Sequence, residues 1–201
     1  MSELVAFMVL GLRHILDVRA LDHVLFLLAL AAVYRVSDWR EVVWVATSFT
    51  IGHSVTLALA VTGVVALPTR LIEFLIPVTI VATCIENIIV TDRPRTWRGG
   101  RYRPVFAGLF GLVHGAGFAN YLRSLFLDSI AVPLLGFNIG IELGQLLVLA
   151  GAAVAFLGAD RLIGAVRAHR TEPSPLRIRV LMLSSVIAVV AGVWAVERRL
   201  W

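Results

Sequence analysis

The sequence predicts an all-α fold: a polytopic transmembrane bundle of six to seven helices, forming a single integral membrane domain over residues 1–201. Three observations carry this prediction. Hydrophobic residues make up 59% of the chain and charged residues 15%, with mean hydropathy +0.90, whereas a soluble domain carries about 25% charged residues. The apolar residues fall into runs near the length of about 20 that crosses a ~30 Å hydrocarbon core. The polar stretches between them are rich in arginine, which supplies all 18 basic residues.

Seven helical segments follow in order. The first, Glu3–Leu16, ends in the polar stretch Asp17–Asp22 and is short enough to be re-entrant. Met1-Ser2-Glu3 lacks the basic start of a secretory signal, and no small-residue cleavage site follows, so this segment is expected in the mature fold. The second runs from His23 to Arg35, the third from Val42 to Leu67 and the fourth from Pro68 to Val90. The fifth covers Pro104–Leu122, the sixth Ile130–Val166 and the seventh Ile178–Val196. Pro68 and Pro104 suit a first helical turn, where a missing N–H costs nothing. Pro77 and Pro133 are expected to kink or relax their helices.

Arginines orient this arrangement. The 91–103 loop holds Arg93, Arg95, Arg98, Arg101 and Arg103, and the 160–179 segment holds Arg161, Arg167, Arg170, Arg177 and Arg179. These loops lie on one side with the Arg35–Arg40 loop; the opposite loops hold Arg70 and Arg123. The positive-inside rule places the Arg-rich loops in the cytoplasm, with Arg198 and Arg199 as a modest violation. The net charge of +5 thus reports topology and not a nucleic-acid partner. Trp39, Trp44, Trp97, Tyr102, Trp194 and Trp201 read as interfacial belts. A single cysteine, Cys84, excludes a disulfide framework and a thiolate metal cluster.

The informative feature is polar chemistry at membrane depth. His14, Asp17, Asp22 and His23 cluster around the first break, His53 lies in the third segment beside Thr50, Ser54 and Thr56, and His114 lies in the fifth. Glu86 and Asn87 stand near the end of the fourth. Asn138, Glu142 and Gln145 form an i, i+4, i+7 stripe on the sixth. Ionisable groups there cost a few kcal/mol on insertion scales, so they face a bundle interior and mark an ion, proton or substrate site. The expected metal ligands are His14, Asp17, Asp22, His23, His53, His114 and Glu142. Thr50, Ser54, Thr56, Glu86, Asn87, Asn138 and Gln145 are expected along a path or behind the ligands. Asp17 and Asp22 also have a plain reading as helix caps, Glu73 suits the dipole at a helix start, and His169 reads as a solvated loop residue. Gly111 and Gly115, and Gly136, Gly140 and Gly144, recur every fourth residue and read as helix-packing stripes.

Imidazole and carboxylate donors without thiolate suit nickel, cobalt, zinc or copper(II). Together these blocks resemble the HupE/UreJ family of hydrogenase/urease accessory membrane proteins. The matching stretches are Gly11–Ile15, Asp22-His23, Phe49–Leu57, Glu73, Glu86-Asn87, Phe110–Phe118 and Phe137–Gln145, colinear from about residue 8 to 150. The resemblance implies a multi-pass protein of the bacterial inner membrane with nickel permeation as its role. It also implies metal handling by the His…Asp-His element, which here falls on His14, Asp22 and His23. That element is usually compressed to something like H-x3-G-x-D-H; here Val18-Arg19-Ala20 stands where the glycine turn falls, and the two extra residues leave open whether His14 and His23 ligate together.

Three function classes follow. The first is a secondary, non-ATP-driven permease for a divalent transition metal, nickel first; no phosphate-binding loop supplies a motor. The second is a zinc-dependent intramembrane hydrolase with Glu142 as general base. The third is a metal-binding accessory or sensor subunit. The expected partners are the lipid bilayer and the metal ion, and a homo-oligomer stays open.

Overall fold

The computed structural model describes residues 2–17, 21–66, 68–91, 102–123, 125, 130–166 and 173–199, without the side chains of Asn120, Tyr121 and Arg123. Arg19, Arg93, Arg95, Trp97, Arg98, Arg101, Arg167, His169, Arg170 and Trp201 lie outside the described residues. The described residues form seven α-helices and no strand: α1 Glu3–Leu16, α2 Asp22–Ala31, α3 Trp39–Val61, α4 Thr69–Val90, α5 Tyr102–Arg123, α6 Ala131–Val166 and α7 Pro175–Glu197. A 3-10 turn, Val36–Asp38, leads into α3. Four helical stretches among these residues are long and apolar enough to cross a membrane: Val36–Val61, Thr69–Val90, Ala131–Val166 and Pro175–Glu197. Their outer faces present Ile51, Ile89, Val154 and Val186 to the surroundings, an apolar surface too extensive for a soluble monomer.

Two helices end earlier than their apolar runs. The third segment reads as continuous to Leu67, yet α3 stops at Val61 because Gly63 turns the chain with φ of 78°. Gly63 N–H donates to Ala60 O at 3.1 Å and Val64 N–H to Leu59 O at 3.0 Å, the paired closing bonds of a glycine C-terminal cap. The second segment reads to Arg35, but α2 ends at Ala31. Side chains from three other helices take the carbonyls there. Asn87 Nδ2 donates to Ala29 O at 2.7 Å, Arg179 Nη1 to Ala32 O at 2.8 Å and Arg179 Nη2 to Tyr34 O at 3.1 Å. Arg103 Nη2 reaches Leu30 O at 3.4 Å. Two buried guanidiniums thus sit at the negative end of the α2 dipole.

Helix direction follows from which residues meet. A Cβ on Gly136 would strike Leu4, one on Gly140 would strike Met8, and one on Gly144 would strike Ile15, so α1 and α6 run parallel. Likewise Gly108 lies against Ser48, Gly111 against Phe49 and Gly115 against His53, so α3 and α5 run parallel. The α2 C-terminus meets the start of α5 and α7 at Arg103 and Arg179, while Asp22 at its other end meets Arg198 beyond the end of α7. At the arginine end α6 also closes on α7, through Asp160 and Arg179 at 2.8 Å. Since α6 runs toward this end, α1 and α2 both do. With 14 and 10 residues they measure about 21 and 15 Å, and neither alone crosses a ~30 Å core. Running in one direction, the two together have the length of one interrupted span.

The core divides in two. One cluster gathers Phe26, Val45, Phe49, Ile80 and Val180 from α2, α3, α4 and α7; the other gathers Ile15, Leu57, Leu122, Phe137 and Ile141 from α1, α3, α5 and α6. The break between α1 and α2 lies at the seam between them.

Candidate metal centre

Four histidines from four helices meet at that seam. His14 comes from the last turn of α1 and His23 from the first turn of α2, with ring centroids 4.5 Å apart. His53 of α3 is 6.1 Å from His14 and 6.0 Å from His23. His114 of α5 is 5.3 Å from His23. One ligand atom each from His14, His23 and His53 lie within 4.8 Å of one another, a spacing that a single bound cation can draw to the Zn–N-like distances of about 2.0–2.1 Å.

Glycines make this approach feasible. A Cβ at Gly115 would collide with the His53 backbone, and one at Gly111 with Phe49 and His53. The α5 stripe therefore seats His114 and His53 on adjoining backbones. The α6 stripe does the same for α1, where Gly144 meets Ile15 beside His14. Stripes of this kind replace the hydrophobic drive that lipid removes.

Electrostatically the site is unusual. His53 is 0% exposed, His114 1% and His23 6%. Nε2 of His14, both ring nitrogens of His23 and His53, and Nδ1 of His114 are buried without a hydrogen-bond partner among the described residues. Leaving one buried polar atom unpaired costs about 1–3 kcal/mol. The six atoms belong to four rings, and each neutral imidazole offers one lone pair, so the cluster presents one donor per ring to a transition-metal cation. The group contains no carboxylate or thiolate among the described residues.

His114 is oriented from behind. Thr79 Oγ1 donates to Ile76 O at 2.7 Å and lies 3.0 Å from His114 Nε2. With its proton on Ile76, the hydroxyl accepts from Nε2–H, which leaves Nδ1 as the bare lone pair. This is how a metal-ligating imidazole is fixed in one tautomer. Sequence reading passed over Thr79; its position two residues after Pro77, on an apolar face, was the available signal.

Aromatic rings close the cluster on both sides. Phe118 stacks 4.1 Å from His14 and 5.2 Å from Phe137. Phe26 lies 5.0 Å from His114 and 4.9 Å from Phe49, and both phenylalanines are fully buried. These rings cover His23, His53 and His114, while His14 at the edge of the cluster is half-buried.

The remaining polar residues make contacts of their own. Asp22 pairs with Arg198 at 3.3 Å, and Asp17 is the exposed C-cap residue of α1. Glu142 accepts a 2.6 Å bond from Thr47, while Thr50 donates to Gln145 Oε1 at 3.0 Å, one turn from His53. Ser54 donates to Thr50 O at 2.6 Å, and Thr56 is buried. Asn138 Oδ1 and Gln145 Nε2 are buried without a partner among the described residues. Glu86 is held at the arginine end by Arg103 and Tyr102, each at 2.5 Å, and Asn87 accepts from Arg103 at 3.0 Å. Glu73 is exposed. Arg103 and Arg179, read from sequence only as topology markers, emerge as buried structural cations.

No curated protein and no solved structure matches the chain. A family model described as HupE / UreJ protein matches residues 1–198. An all-helical bundle with membrane-length apolar helices and a histidine cluster agrees with that match, and the chain belongs to the HupE/UreJ family of metal-related membrane proteins.

Proposed function

We propose that this chain is a permease for a divalent transition metal, nickel first, that moves its substrate without ATP. The observation that carries this reading is the convergence of His14, His23 and His53, with His14 Nε2 and both ring nitrogens of His23 and His53 unpaired among the described residues. Nickel prefers nitrogen donors, and three neutral imidazoles without an anionic ligand form a site of moderate strength. Conduction needs such a site, one that loads and also releases.

The interrupted span supports the same reading. Secondary transporters bind substrate where discontinuous helices break near the bilayer centre. Here the C-terminal end of α1 and the N-terminal end of α2 both approach the cluster. Their dipoles are opposed at the site, which keeps the local field on a cation small. Passage toward the arginine end requires Phe26 on α2 to leave its contacts with Phe49 and His114, so movement of α2 is the gating step. On the positive-inside reading that end is cytoplasmic and the membrane is the bacterial inner membrane. Asp17 and Asp22 belong to the outer approach and Glu86 to the exit.

The zinc hydrolase reading needs a general base within hydrogen-bond reach of a metal-bound water. Glu142 is engaged by Thr47, Asp22 by Arg198 and Glu86 by Arg103, so the geometry favours transport.

Nickel flux into proteoliposomes, wild type beside His53→Ala, tests the proposal. Saturable uptake that the substitution abolishes supports it. Well-inserted wild-type protein that binds nickel stoichiometrically but passes none contradicts it.

A further inference from the structure

Away from the histidines, the arginine end holds a cavity of about 570 Å³ between the start of α3, the second half of α6 and the start of α7. Its volume lies within the roughly 300–1,000 Å³ of small-ligand sites. Nothing in the metal reading uses it. We propose that this cavity is a binding site for one anionic phospholipid, which takes an acyl chain in its apolar trough and the phosphate at its arginine rim.

The trough is built by Leu146, Ala150, Ala153 and Leu157, one face of α6, opposite Val42 and Val43 of α3. The two alanines keep the groove floor low, and the leucines at either end bound it. From Leu146 to Leu157 the groove runs about 16 Å along the helix, about half of a ~30 Å hydrocarbon core. That is the depth of one leaflet. A soluble metabolite or free phosphate gains nothing from an apolar trough of that length.

The polar end supplies the complementary charge. Arg35 and Arg161 line it and are both exposed; the Asp38 carboxylate accepts from the Arg35 backbone N–H at 3.0 Å, so the guanidiniums of Arg35, Arg161 and Arg179 stand against two carboxylates, Asp38 and Asp160, among the described residues. Arg179 lines it as well, and its neighbour Asp160 is already neutralised by the 2.8 Å ion pair between them. Ser174 adds a hydroxyl. The rim is therefore net cationic. Basic pockets between membrane helices on the arginine-rich side recognise anionic headgroups, and guanidinium forks match phosphate oxygens bidentately. Because Arg179 also holds the carbonyls of Ala32 and Tyr34, an occupied site borders directly on the end of α2.

The test compares lipid retention and thermal stabilisation. Wild type, Arg35→Ala/Arg161→Ala and Ala150→Phe are purified in mild detergent, and bound lipid is counted by native mass spectrometry with added phosphatidylglycerol or phosphatidylethanolamine. Wild type is expected to retain one phosphatidylglycerol per chain and to melt several degrees higher with it. Both variants are expected to lose this at least tenfold, the first through the headgroup and the second through the acyl groove. Equal retention of both lipids overturns the proposal, as does retention unchanged in both variants. A melting shift produced by inorganic phosphate alone assigns the rim to a soluble anion and overturns it. A dimer that Ala150→Phe dissociates assigns the groove to a second copy and overturns it too. Circular dichroism of each variant separates loss of lipid from loss of fold, and nickel binding by the variants is independent of the outcome.

Discussion

The rings of His14 and His23 lie 4.5 Å apart at 66°, although the two residues are nine positions apart in the chain. On a continuous helix nine positions at about 100° each place side chains on opposite faces. They meet because the helix is broken between them: α1 delivers one imidazole from its last turn and α2 the other from its first. The widened element lengthens the connection without separating the pair.

On the proposed permease reading His14 and His23 are ligands of one ion. Alanine at either is expected to weaken nickel binding by more than the 10–100-fold that loss of an outer-shell partner costs, with helical content unchanged. Isothermal titration in detergent measures it; an unchanged affinity in both single variants removes them from the site.

Thr79 positions His114 through its 3.0 Å contact with Nε2. Thr79→Val is expected to lower nickel affinity about 10–100-fold, and Thr79→Ser to restore it. Failure of serine to rescue would show that the residue acts by packing alone.

Backbone contact sets the spacing of His53 and His114. Gly115→Ala forces a methyl into the His53 backbone and is expected to destabilise by about 1–3 kcal/mol, as overpacking does, while weakening metal binding. Gly158→Ala, where nothing lies within 4 Å, is expected to leave both unchanged. Parallel melting and titration curves decide this, and equal effects at the two glycines would count against it.

Arg103 is buried and its charge is answered by Glu86, Asn87 and the Leu30 carbonyl. Glu86→Gln leaves that cation uncompensated at a cost of about 3 kcal/mol, the lower end for breaking a buried pair. Glu86→Gln/Arg103→Met, which removes both charges, is expected to recover most of the loss. Thermal unfolding of the four proteins in the cycle measures the coupling, and additivity would show that the pair is not a unit.

Much of this was legible in the residues. Apolar runs broken by arginine specified an all-helical membrane bundle, and glycine periodicity marked surfaces that now prove to join α1 to α6 and α3 to α5. The histidines stood out because imidazole at membrane depth is costly. What stayed hidden depends on direction and distance. No local signal says that Gly140 faces Met8 instead of α5, or that the orphan carbonyls of α2 will be met by Arg103 and Arg179 from the starts of helices some seventy and a hundred and fifty residues away. Gly63 did carry a local signal, a glycine able to adopt positive φ, which the surrounding valines masked.

X-ray absorption of the nickel-loaded protein tests the central claim most directly, since it reports the atoms around the ion. Three or more imidazole scatterers are predicted in wild type, with one fewer in each of His14→Ala, His23→Ala and His53→Ala. A shell of oxygen atoms alone, or one that none of these substitutions alters, would place the metal elsewhere in the protein.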